Sequence, residues 1–226
     1  MTLGGGGFTH HPEDPRLEEY MLALARRERP RVCFVPTASG DAEGYVQRFR
    51  DFFGELACET SELVLFGRDA GDLRRLLLDQ DVIYVGGGST ANLLSLWRLH
   101  GIDALMREAL DGGSLLCGMS AGMNCWFEAS ITDSFGPLAP LHEGLGLLRG
   151  SACPHYDSEP ERRPTYLRLV AGGFPAGYAV EDSVALSFLD GELVEAVSTR
   201  PDGHAYYVEK EGGEVAERPV EVRQLD

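Results

Sequence analysis

Apolar residues recur along this chain at two different spacings. Leu17, Tyr20, Met21 and Leu24 fall at three- and four-residue intervals, which predicts a helix over 17–27. Arg31-Val32-Cys33-Phe34-Val35 is instead a continuous apolar run, the pattern of a strand covered on both faces, and Pro36-Thr37-Ala38 closes it. The succession continues with a helix over 45–53, a strand over 60–66, a helix over 73–78 and the strand Val82-Ile83-Tyr84-Val85. A helix to about His100 follows, then another that Asp103 caps and Asp111-Gly112-Gly113 ends. Ahead of all these, a very short strand stops at the glycine run Gly4 to Gly7. Strands and helices in turn predict a mostly parallel sheet with helices on its faces. Past residue 150 short strands stand alone, at 178–180, 184–189, 193–197 and 205–208, with Asp190-Gly191 as a hairpin turn. The expectation is one α/β domain over 1–226, parallel first, with antiparallel hairpins at its C-terminal edge.

Within that frame one turn carries chemistry. Gly118-Met119-Ser120-Ala121-Gly122 follows the apolar run Ser114-Leu115-Leu116-Cys117 and precedes a predicted helix. This is the strand–turn–helix setting in which G-x-S-x-G becomes a nucleophile elbow. Small residues clear the tight backbone, and the helix dipole favours negative charge developing at the serine. The same five residues also fit a glycine-rich turn whose serine only caps a helix.

A serine nucleophile needs an oxyanion pocket, a base and an orienting acid. Gly86-Gly87-Gly88 lies between a strand and a helix, at the sheet edge where open α/β folds bind ligands. The amide of Gly87 or Gly88, with that of Ala121, would supply two donors. A phosphate-binding loop is the rival reading, but neither G-x-G-x-x-G nor G-K-[ST] completes it. Among the histidines, His10 and His11 are adjacent in an early loop and lack a spaced third metal ligand. His100 ends a helix, His142 lies in a loop and His204 in a hairpin turn. His155, in Ala152-Cys153-Pro154-His155-Tyr156-Asp157, comes just past a short apolar segment and is the candidate base. Glu181 and Asp182 are the candidate acids; being consecutive in an extended segment, they face opposite ways, so only one can meet His155. The order Ser–His–acid differs from the α/β-hydrolase order, which does not matter to a triad defined by geometry.

Composition narrows the partners. With 226 residues and 43% hydrophobic content the chain can bury a large core. No apolar run approaches the roughly 20 residues that span a bilayer, and Met1 to Gly7 does not resemble a secretory signal. Five cysteines, without C-x-x-C spacing and partly within apolar runs, read as reduced core residues of a cytoplasmic protein. Acidic residues outnumber basic ones by 36 to 20, a formal charge of −16, which argues against nucleic-acid or membrane-surface binding. No metal or organic cofactor is expected.

Taken together, Gly4-Gly5-Gly6-Gly7-Phe8, Val35-Pro36-Thr37-Ala38, Tyr84 to Leu93, the Ser120 elbow and Pro154-His155-Tyr156 resemble the peptidase E family of serine peptidases, relatives of the cyanophycinases. The resemblance implies a class I glutamine amidotransferase-like, flavodoxin-like fold, three layers α/β/α. It implies Ser120 as nucleophile, His155 as base and the Gly87, Gly88 and Ala121 amides as oxyanion hole. Counting back from Asp190-Gly191, it makes Asp182 the third member, with Glu181 as the alternative. Asp133 matches another acidic position of the family, a structural or substrate-side group. The implied reaction is hydrolysis of small peptides with N-terminal aspartate, in a monomer or homodimer. Arg162, Arg163 and Arg168 lie shortly after His155 and could supply the cation for the aspartyl carboxylate, the other reading of each being a solvated helix arginine. Tyr156 to Pro164 departs from the substrate loop of the aspartyl dipeptidases, which leaves open another amide or ester substrate, or a binding protein without turnover.

Overall fold

The computed structural model describes residues 1–67 and 71–226. Its helices are α1 (Arg16–Leu24), α2 (Glu43–Gly54), α3 (Leu73–Leu78), α4 (Thr90–His100), α5 (Ile102–Asp111), α6 (Ala121–Asn124) and α7 (Arg162–Ala171). The first strands are β1 (Thr2–Leu3), β2 (Arg31–Val35), β3 (Glu59–Glu62), β4 (Val82–Val85) and β5 (Leu115–Met119). Next come β6 (Phe127–Thr132), β7 (Ala139–Leu141), β8 (Leu148–Cys153) and β9 (Gly177–Val180). The last are β10 (Val184–Leu189), β11 (Glu192–Ser198), β12 (Ala205–Glu211), β13 (Glu214–Val220) and β14 (Arg223–Gln224).

The main sheet runs β14-β11-β10-β1-β5-β4-β2-β3. From β1 to β3 it is parallel; β10 joins β1 antiparallel, and β11 joins β10 likewise. Strand alternation sorts its side chains to two faces. Cys33, Val35, Ile83 and Val85 pack against Leu77, Leu93, Trp97 and Met106 of α3, α4 and α5. Val32, Phe34, Val82 and Tyr84 pack against Leu17, Met21, Phe49 and Phe53 of α1 and α2. Helices thus cover both faces of a mostly parallel sheet, as the pattern predicts.

A second sheet, β13-β12-β9-β8-β6-β7, stands beside it with its own core around Ile131, Tyr156, Tyr166 and Val208. The hairpins expected at one sheet edge are therefore divided, β10–β11 extending the first sheet and β12–β13 the second. Three local expectations also change. β3 stops at Glu62 because the Asp41 carboxylate accepts the Leu65 and Phe66 N–H groups and turns the chain. Helix α1 ends at Leu24, short of the left-handed Arg26. Gly101, with φ 69°, ends α4 and starts α5 directly, leaving Asp103 in the first turn and not at the cap. No helix among the described residues is long and apolar enough to cross a membrane.

The two sheets meet where chain segments pass between them. β8 ends at Cys153, and Glu181 to Ser183 carries the chain from β9 of the second sheet to β10 of the first. Leu3-Gly4-Gly5 runs out of β1 into the same seam, with Gly5 bridged to Asp182. The turn that follows is fastened by Glu18, only 1% exposed, which accepts the Phe8 N–H at 2.8 Å.

Burial pushes the Glu18 carboxyl from 4.5 up to about 7, the Phe8 hydrogen bond opposing and Asp14 adding to the rise. Between those two values the folded protein holds more protons at Glu18 than the unfolded chain does. The stability that Glu18 contributes is therefore fully present below about pH 4.5 and is lost as pH rises through about 7, about 3 kcal/mol in all. Glu18→Gln removes that titration and keeps an acceptor for Phe8. Thermal melts at about pH 5 and pH 8 should show the wild type losing several degrees more than the variant; equal losses would contradict it.

Candidate active site

Ser120 joins β5 to α6 with φ 56° and ψ −109°, a conformation side-chain-bearing residues avoid. The turn closes only because its flanks are glycines. A Cβ on Gly118 would lie 2.2 Å from Gly122 O, and one on Gly122 would lie 2.3 Å from Val85 O. The Ser120 N–H donates to Leu3 O at 3.1 Å, and the hydroxyl faces the seam. There Oγ lies 2.9 Å from His155 Nε2.

His155 follows Pro154 off the end of β8, also left-handed at φ 54°. Its N–H donates to Gly4 O at 3.3 Å and the next N–H, of Tyr156, to Val180 O at 3.1 Å. Nδ1 lies 2.7 Å from Asp182 Oδ1. Burial disfavours the Asp182 carboxylate, but the His155 hydrogen bond and charge, with Ser158 and His10, outweigh it and hold the carboxyl below its ordinary value. An ionised Asp182 makes Nδ1 the donor and leaves the Nε2 lone pair toward the serine hydroxyl. Such an imidazole can take the Oγ proton.

Glu181 turns the other way. Its Oε2 accepts the His204 N–H at 2.8 Å and lies 3.3 Å from His204 Nδ1. The glycine loop splits in two: the Gly87 N–H points to Tyr45 Oη at 3.3 Å, while those of Gly88 and Ala121 meet no protein acceptor among the described residues. Gly88, at φ 137°, has no room for a side chain, since a Cβ would sit 2.2 Å from Ala38 O. Gly87 lies against the nucleophile, its would-be Cβ 3.4 Å from Ser120 Cβ.

The arginines after His155 are not gathered at this point. Arg162 is 3% exposed, with Nε on Glu159 at 2.7 Å and Nη1 on Ile131 O at 3.3 Å. Arg163 donates to Glu217 at 2.9 Å and lies over the rings of Tyr156 and Tyr206. Asp133 and Arg168 line a cavity of about 500 Å³ that Ser158, Glu159 and Glu161 share. His10 Nδ1 lies 3.4 Å from Gly6 O, and His11 Nδ1 3.4 Å from Glu13, so the adjacent histidines have separate partners. His142 stacks edge-on against Phe174.

Sequence reasoning overlooked the backbone that assembles the site. Leu3, Gly4 and Gly5 present three successive carbonyls to the N–H groups of Ser120, His155 and Ser183, the last at 3.0 Å. A short strand broken by glycines was the available signal. It also overlooked Asp157, whose Oδ1 accepts the Asp182 N–H at 2.9 Å, and Arg200, paired with Asp157 at 2.8 Å. A Cβ on Gly5 would fall 2.0 Å from Asp182 Oδ1 and 2.6 Å from the His155 ring. Gly5→Ala should therefore part the imidazole from the carboxylate in a protein that still folds. The check is the low-field Nδ1–H proton resonance of that pair: it should vanish in the variant, and its persistence would contradict the close fit.

Comparison with known proteins places the chain. Residues 1–196 match the model of peptidase family S51. Over 226 residues, all of this chain and 98% of the other, it is 47% identical to the uncharacterized peptidase YgaJ of Bacillus subtilis (strain 168). It is 31% identical to peptidase E of Streptomyces coelicolor over 162 residues, 70% of this chain and 63% of that protein. The crystal structure of a peptidase from an acI-B1 actinobacterium shares the fold, with TM-score 0.67 at 18% identity, covering 98% of this chain and 93% of that one. The chain belongs to peptidase family S51 and is a serine-type peptidase of the peptidase E kind.

Proposed function

We propose that this peptidase works through a Ser120-His155-Asp182 triad. The observation that carries the reading is the unbroken line of contacts from Ser120 Oγ through the imidazole to Asp182, at 2.9 and 2.7 Å. His155 Nε2 takes the Oγ proton as Oγ attacks a peptide carbonyl. The oxyanion so formed is received by the free amides of Gly88 and Ala121, with Gly87 as the wall beside the nucleophile. The imidazolium, steadied by ionised Asp182, returns its proton to the leaving amine. Water then enters, gives its proton to Nε2 and releases the acyl group, restoring Ser120. Because both sheets contribute to the triad, the two act as one domain over 1–226. The five buried, unpaired cysteines support a cytoplasmic setting.

The substrate class we propose is a small peptide, by family resemblance one with N-terminal aspartate. One observation favours a second reading, a different amide or an ester. Arg162 and Arg163 are both engaged by glutamates of the protein, Glu159 and Glu217, which leaves Arg168 as the cation lining the neighbouring cavity.

Ser120→Ala should lose all covalent labelling by a fluorophosphonate probe; equal labelling of the variant would refute the assignment. Asp182→Asn should slow labelling by about 1,000- to 10,000-fold, because the imidazole loses its tautomer, while Glu181→Gln should stay within about tenfold. The reverse ranking would make Glu181 the third member. A panel of Asp-X dipeptides, other dipeptides and p-nitrophenyl esters separates the two substrate readings, through which class gives the largest Ser120-dependent kcat/KM.

A further inference from the structure

Asp182 stands on a three-residue crossing between the sheets, outside both ladders and joined to Gly5 by a single bridge. Its neighbour Ser183 is left-handed, at φ 64°. Beside the backbone contacts with Gly5, charged side chains hold this crossing. The Asp182 N–H donates to Asp157 Oδ1 at 2.9 Å, and Asp157 Oδ2 accepts from Arg200 Nη1 at 2.8 Å. The same Nη1 reaches Asp182 O at 3.4 Å. The Arg200 N–H donates to Ser198 Oγ at 3.0 Å, whose hydroxyl donates to Ser183 O at 3.2 Å. The loop between β11 and β12 thereby reaches the peptide groups on both sides of the candidate acid.

Charge matters as much as reach. Asp157 is a second carboxylate beside the His155–Asp182 pair, and Arg200 offsets it. Hydrogen bonding to Asp157 raises the Arg200 pKa further against burial, so the guanidinium stays charged. The two side chains are 34% and 25% exposed, less open to screening than a surface pair. The other charged or titratable groups around the crossing are Glu181, 3.9 Å from Arg200 Nη2, Asp202, 3.4 Å from Arg200 Nε, His204 on Glu181, and His10 toward Asp182.

We propose that Arg200 and Asp157 are a positioning pair: they clamp the backbone of Asp182 and cancel each other's charge beside the imidazole. The inference rests on the triad reading above. Neither residue touches the reacting atoms, so their removal must act through His155 and Asp182.

The experiment follows fluorophosphonate labelling of the full chain against pH in the wild type, Arg200→Gln, Arg200→Lys and Asp157→Asn, with melting temperatures and the low-field imidazole proton. Arg200→Gln removes the positive charge that faces Asp157 and moves the acid limb up. Asp157→Asn removes one negative charge from the crossing, with Glu181 and Asp202 still beside Arg200, and moves the limb down. Both should slow labelling at the optimum about tenfold or more. Arg200→Lys keeps the charge without the fork, so the limb stays in place while the rate recovers only in part. Superimposable limbs, or limbs that all move the same way in step with lost stability, would overturn the pair. A wild type that takes no label defeats the nucleophile assignment instead; the proton resonance then decides the pair, supporting it if broadened in Arg200→Gln and Asp157→Asn, overturning it if unchanged.

Discussion

Three consecutive carbonyl groups, of Leu3, Gly4 and Gly5, accept the N–H groups of Ser120, His155 and Ser183. This contact organises the rest of the site. The residues it gathers come from a parallel strand end, from the exit of a strand in the other sheet, and from the crossing between the sheets. Nothing in their own local structure would bring them together. A strand with side chains could not pass here, because the His155–Asp182 pair sits against the Gly5 Cα. The glycine run is therefore what lets backbone stand where side chains would otherwise fill the seam.

The strain in the site is local and shared. Ser120, His155 and Ser183 all hold positive φ without being glycine, each at a cost of order 1–3 kcal/mol. The cost is borne by rigid surroundings: β1 and β5 in the main sheet, the buried core of the second sheet around Tyr156, and the hydrogen bonds to the glycine strap. On the crossing itself Arg200 pairs with Asp157 at 2.8 Å and reaches Asp182 O, in a partly buried seam that limits screening.

The parallel half of the fold was legible because buried central strands must be continuously apolar, as Val32 to Val35 and Val82 to Val85 are. The second sheet was not. β8 carries Arg149 and Gly150 within its run, and β13 alternates charges with apolar residues and holds Pro219, which an edge strand tolerates and a central one does not. Missing β13 also hid Glu217, the residue that engages Arg163. Arg162 misled for a different reason: closeness to His155 in sequence says nothing of helix rotation, and α7 turns it inward onto Glu159 and Ile131 O. Ser120 and His155 lay within reach because each sits in a short local pattern. Between Glu181 and Asp182 the residues alone left both open and the resemblance chose Asp182; the physical ground, register against Gly5 from the opposite end of the chain, is visible only in the fold. Likewise, which amides of the glycine loop are free depends on Tyr45, a residue of α2 that no local motif ties to the loop.

The most direct test of a strap that aligns a serine for acyl transfer is a crystal structure of the protein after reaction with a small fluorophosphonate. Phosphorus should be bonded to Ser120 Oγ, with the phosphoryl oxygen within hydrogen-bond distance of the Gly88 and Ala121 N–H groups. His155 should still bridge to Asp182, and the Leu3, Gly4 and Gly5 carbonyls should keep their three donors. Phosphorus on any other residue, or a phosphoryl oxygen turned away from both amides, would contradict it.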